Sequence, residues 1–129
     1  MNAASIDIKD SLEDAGLGLI YKKNLFIGKQ PASPDDCVTV IDTPSFTPDN
    51  TLDNVRYYRS SVMVQVRNNG YTAGMVVARN VMDWLHGRAN STWNSTLYTV
   101  IQATGEPAPL AWDENDRTII IINFNLQRR

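Results

Sequence analysis

One continuous stretch, residues 55–86, restricts what this chain can fold into more than any other. In residues 55–67 the side chains alternate. Tyr58, Ser60, Val62, Val64 and Val66 fall on one side, and Tyr57, Arg59, Ser61, Met63, Gln65 and Arg67 on the other. That is the period of a strand with one buried face. Asn69–Gly70 follows, a pair that supplies the positive φ of a sharp reversal. From Tyr71 to His86 the period becomes helical, with Thr72 expected to cap the start and Gly87 to stop the end. Met75, Ala78, Met82 and Leu85 make one apolar stripe, and Val77, Val81 and Trp84 make a second. Arg79 and Asp83 are spaced to pair across one turn. A helix lying on a sheet with its back to water needs one stripe. The second requires a cover, which is either a helix or loop of the same chain or another copy of it.

The flanking sequence supplies the rest of a small mixed fold. Residues 4–15 read as a helix with Ser5 as its cap, Asp7 in the first turn and Ile8, Leu12 and Ala15 as its buried stripe. Residues 19–21 and 24–29 read as an extended segment and 37–41 as a strand, and residues 96–104 and 117–127 as two more. In the last, Ile120, Ile122, Phe124 and Leu126 share one face, while Ile119 and Ile121 on the other place its first half in the interior of a sheet. Residues 110–112 extend briefly, and residues 88–95 read as a loop. Residues 42–54 form a long loop in which Phe46 and Leu52 are apolar anchors. The fold class is α+β: two helices on one face of a mixed, mostly antiparallel sheet, in the order α-β-β-β-α-β-β-β. Residues 1–129 are expected to form a single domain.

Charge narrows the function classes. The net charge of −2 lacks the basic excess of a general nucleic-acid binder. No apolar run reaches the ~20 residues of a membrane span, and the first residues lack the basic and apolar regions of a signal peptide. One cysteine, Cys37, excludes an internal disulfide framework. The charge is unevenly divided. Residues 1–53 hold nine acids and four bases, all lysine, whereas residues 54–129 hold five acids and eight bases, all arginine. Such halves either complement each other between subunits or neutralise each other within one fold.

Chemistry-bearing patterns are sparse. The one histidine, His86, falls at a helix end, where a capping role suits it. Cys37 begins an apolar strand and reads as a buried thiol. The acids at 35–36 and 113–116 lack the ligand and glycine pattern of a calcium loop. Gly16 and Gly18 follow a helix rather than a strand, so they are no phosphate-binding loop. No catalytic, cofactor-binding or metal-binding residues are expected. An enzyme reading would have to rest on Asp42, Arg59 and His86.

Several local sequences carry a resemblance. They are Leu17–Gly18–Leu19, residues 25–28, Pro31, residues 36–42, the central strand, the turn at 69–71, the apolar helix ending in residues 84–87 and the closing isoleucine-rich strand. Together they resemble the tail terminator proteins of long-tailed bacteriophages, often labelled minor capsid proteins. The resemblance implies a two-helix, mixed-sheet domain that forms a hexameric ring capping the tail tube. Such a ring ends tube growth and meets the head connector, so its partners would be its own copies, the tail tube protein and a connector or stopper protein. It also implies a place in the virion at the head–tail neck, assembly in the host cytoplasm and DNA passing through the ring. A head-completion or stopper protein is the alternative within that class. No catalytic residues carry over. The expected contact residues are Phe46, Leu52, Arg59, Arg67, Val77, Arg79, Val81 and Trp84.

Overall fold

The computed structural model describes residues 1–45, 48–50 and 56–129. In chain order the elements are α1 (Ala4–Asp14), β1 (Leu25–Ile27), β2 (Cys37–Thr43), β3 (Asp49–Asn50), β4 (Arg56–Asn68), α2 (Tyr71–Leu85), β5 (Ala89–Trp93), β6 (Thr96–Ala103), β7 (Ala108–Trp112) and β8 (Thr118–Arg128). The sheet runs β1-β2-β4-β8-β6-β5, with β3 added to β4 and β7 added to β8. β1 is parallel to β2 and Tyr21 makes a parallel bridge to Leu25, whereas the other described strand pairs are antiparallel. The α+β class, with both helices over one face, is therefore as expected.

The alternation in β4 sets the core. Val62, Val64 and Val66 stand opposite Phe124, Ile122 and Ile120 of β8, and all six are buried. Val38 and Val40 extend the row on β2. Full burial of each such side chain contributes about 1.5–3 kcal/mol, so this face alone specifies the register. Ala4, Ile8 and Leu12 of α1 and Ala78, Val81 and Leu85 of α2 close over it. Gly74 lets α2 lie close: a Cβ there would stand 2.9 Å from Ile120 Cδ1 and 3.1 Å from Asn68 Cβ. Gly87, at φ +82°, ends the helix as expected.

The second stripe of α2 is covered by the same chain. Val81 is fully buried, and Val77 and Val81 line a small cavity with Leu17 and Leu19. Trp84 donates its indole N–H to Ser11 Oγ of α1 at 3.0 Å, and the Arg88 guanidinium lies 3.5 Å from its ring centroid. The face of α2 left to water carries Tyr71, Val76, Arg79, Asn80 and Asp83. Arg79 pairs across to Glu106 at 3.1 Å rather than along its own helix.

Local details depart from the sequence reading for identifiable reasons. Gly70 has φ −108°, not a positive value. The reversal is made instead by Asn68 Oδ1, which accepts the Gly70 N–H at 2.9 Å. The N-cap of α2 is Gly70 rather than Thr72. That of α1 is Ala3, without a side-chain cap. Ser5 lies inside the first turn and is itself served from afar: its N–H and its hydroxyl donate to the two carboxylate oxygens of Asp42, at 3.0 and 2.6 Å. Residues 89–93 form a strand, not a loop. Trp93 pairs with Thr96 across Asn94–Ser95, and both turn residues have positive φ, +50° and +65°, the conformation of a tight hairpin. The expected 42–54 loop contains β3, and Phe46 and Leu52 lie outside the described residues.

Candidate functional site, an assembly surface

The most concentrated polar cluster is buried under the start of α1. Tyr98 donates its hydroxyl to Asp7 Oδ2, and Asn94 donates its amide to Asp7 Oδ1 at 2.7 Å and to Asp10 Oδ2 at 2.9 Å. Arg128 Nη1 lies 3.9 Å from Asp7 Oδ2 and donates to the Asn2 carbonyl at 2.8 Å. Its Nε donates to Ser60 Oγ at 3.0 Å. Burial, then the hydrogen bond to Asp7 and its negative charge, push the Tyr98 phenol well above its ordinary value. On Asp10, burial acts against ionisation, but hydrogen bonds from Asn94 and Lys9 outweigh it and hold the carboxyl below its usual range. With its donors and acceptors matched inside the fold, this cluster fastens α1 to β4, β6 and β8.

A second clasp holds residues 31–36 to the sheet. Arg67 is buried on the face away from the helices. It donates to the carbonyls of Asp35, Pro31 and Pro34 at 3.2, 2.6 and 2.6 Å. Arg117 Nε binds Asp113 Oδ2 at 2.7 Å, and its Nη1 reaches the Ala32 carbonyl at 2.8 Å and Asp35 Oδ1 at 3.0 Å. Burial opposes ionisation of Asp113, but the Asn115 and Arg117 N–H groups and the Arg117 guanidinium keep its carboxyl below its ordinary range. The uneven charge of the two halves is thus used partly inside the subunit, through Asp7–Arg128 and Asp35–Arg117.

These placements sort the expected contact residues. Arg67 is spent on loop carbonyls, and Val81 lies in the core of the subunit. Val77 and Trp84 are half-buried against α1 and residues 17–19. Arg59 and Arg79 stand on the surface. Asp42 is committed to Ser5, and the Ala103 N–H donates to His86 Nδ1 at 3.0 Å. Arg59 borders a groove of about 230 Å³ on the helix-free face that contains neither of them. Cys37 is buried, which pushes its thiol up despite Arg67 and Arg117 nearby. No group of three or more His, Cys, Asp or Glu among the described residues is placed to hold a metal ion. No described helix is long and apolar enough to cross a membrane.

What the sequence reading missed is the surface along β7. All five of its residues are exposed, Leu110 at 59% and Trp112 at 67%. Ile20 is half exposed at the opposite side of the sheet, and Tyr71 and Val76 are exposed on α2. Residues 108–112 are free of charge between Glu106 and Asp113. That pattern was visible, but short apolar runs more often mark interior strands.

Comparison with known proteins agrees with this picture. A chain described under "Virion of native gene transfer agent (GTA) particle" superposes with a TM-score of 0.62 at 14% identity, over 98% of this chain and 94% of that one. A second solved structure gives 0.60 at 12% identity, over 98% and 91%. At such identities the likeness speaks to the fold alone. No curated protein matches the sequence. Residues 11–129 match the family described as bacteriophage tail terminator protein. The chain belongs to that family, and with it to the structural proteins of the phage tail.

Proposed function

We propose that this protein closes into a ring, a hexamer by the resemblance, that caps the tail tube at the head–tail neck. The ring ends tube polymerisation and offers its other face to the head connector or stopper protein, while DNA passes through its lumen. Assembly takes place in the host cytoplasm. The observation that carries the reading is the family match over residues 11–129. Exposed apolar side chains on β7 and α2, of the kind that mark protein contacts, support it. Arg59 and Arg79 remain contact candidates on the surface, as do Phe46 and Leu52 on sequence alone.

The test is tube polymerisation. Purified tail tube protein from the same phage, allowed to polymerise with increasing amounts of this protein, should give progressively shorter tubes. Electron micrographs should show a ring at one end of each. Tubes of unchanged length, with no density at either end, would sink the reading.

A further inference from the structure

We propose that β7 is the projecting half of a head-to-tail contact between copies of this chain, and that the flank formed by Ile20, Lys22 and Lys23 beside β1 receives it. This rests on the ring reading and assigns the surfaces that join its subunits.

The register puts the two flanks at one level. Leu25 of β1 stands beside Val38, Val38 beside Val66, Val66 beside Ile120 and Ile120 beside Pro109 of β7. One cross-strand row therefore runs from edge to edge, about 19 Å at the usual strand spacing. A contact between unlike flanks is heterologous. It closes into a ring about an axis along the strands only if the flanks share a level, since a step between them would build a helix.

Both edges are closed to strand addition. Pro109 has no N–H, and a bulge between Pro109 and Ala111 breaks the ladder of β7. On the other side, the Leu25 N–H donates to the Ile20 carbonyl at 3.2 Å and its carbonyl accepts from the Lys22 N–H at 2.9 Å; the Ile27 carbonyl accepts from the Lys29 N–H. The contact is therefore made by side chains. Leu110, at the bulge, and Trp112 meet Ile20 and the lysine stems, and the indole face takes a lysine ammonium. Charge completes the match. Glu114 and Asp116, just past β7, and Lys22 and Lys23 form no ion pair within the described residues. Asp113 and Glu106, by contrast, are taken by Arg117 and Arg79.

Cysteine trapping tests the assignment, because the native Cys37 is buried. Under mild oxidation, a mixture of Ile20→Cys and Trp112→Cys proteins should yield a covalent dimer that neither gives alone. The double variant should give a ladder of larger species. Sedimentation of Leu110→Ser/Trp112→Ser, checked for folding by circular dichroism, should show the half-assembly concentration raised at least about tenfold. Glu114→Lys/Asp116→Lys should do the same, and adding Lys22→Glu/Lys23→Glu should restore assembly. If wild type assembles but the mixture stays monomeric, or Trp112→Cys dimerises equally well alone, the flanks are wrong and the ring reading stands. If the Leu110/Trp112 variant assembles normally, β7 takes no part in the contact between copies and the proposal falls. If wild type forms no oligomer, alone or on tubes, both fall together.

Discussion

At the scale of single residues, three polar side chains do what the apolar core cannot. Asp7, Tyr98 and Arg128 sit where α1 crosses the sheet, and each satisfies a neighbour that would otherwise be buried without a partner. Removing one hydroxyl from such a cluster costs about 1–3 kcal/mol, so Tyr98→Phe should lower urea stability at neutral pH by that amount. The folded phenol titrates above its ordinary value of 10.0. Its stabilisation is therefore complete below about pH 10 and lost as pH rises through the folded value. Wild type should lose stability in that alkaline range more steeply than Tyr98→Phe. Equal slopes in denaturation curves measured from pH 9 to 12 would remove Tyr98 as the cause.

At the scale of elements, α2 shows how burial divides one helix. Val81 is fully buried, whereas Val76, five residues earlier, is 56% exposed. An unpaired carboxylate in the core is among the few changes able to cost several kcal/mol, but the same change on the surface is worth about ±0.5 kcal/mol. Val81→Asp should therefore abolish cooperative thermal unfolding followed by circular dichroism, and Val76→Asp should leave the midpoint nearly unchanged. A folded Val81→Asp protein would mean that the second stripe faces outward. The hairpin of β5 and β6 adds a polar tie to its apolar anchors, Tyr98 and Ile101. Its tip is tied to α1 through Asn94, which joins two elements far apart in sequence.

At the scale of the whole molecule, one sheet is covered by two helices, one that precedes every strand and one that lies between β4 and β5. The family match begins at residue 11, yet Ala4, Ser5, Asp7 and Ile8 are buried. Losing a residue such as Ile8 typically costs 2–5 kcal/mol, against a total stability of about 5–15 kcal/mol. Deleting residues 1–10 also strips Tyr98, Asn94 and Arg128 of Asp7. The truncated protein should bind a hydrophobic dye and melt without a cooperative transition. A sharp melt like that of the full chain would show that the matched residues form the folding unit.

The period of the side chains determined which residues form β4, β8 and both helices, and which faces of them meet. That information is local, carried by neighbours two to four residues apart. The tertiary structure alone decided what depends on distant partners. Tyr98 and Ile101 both face the core because a bulge lies between Tyr98 and Val100, where β6 meets β8. Strict alternation along β6 would group Ile101 with Leu97 and Thr99, and it has no means of showing that extra residue. Arg67 falls on the polar side of its strand by alternation, yet it is buried because residues 31–36 fold over it. Asp42 serves α1 only because β2 brings it beside Ser5. The second stripe of α2 left two covers open, and the choice lay with Leu17, Leu19 and Ser11, far away in sequence and adjacent only once the chain has packed.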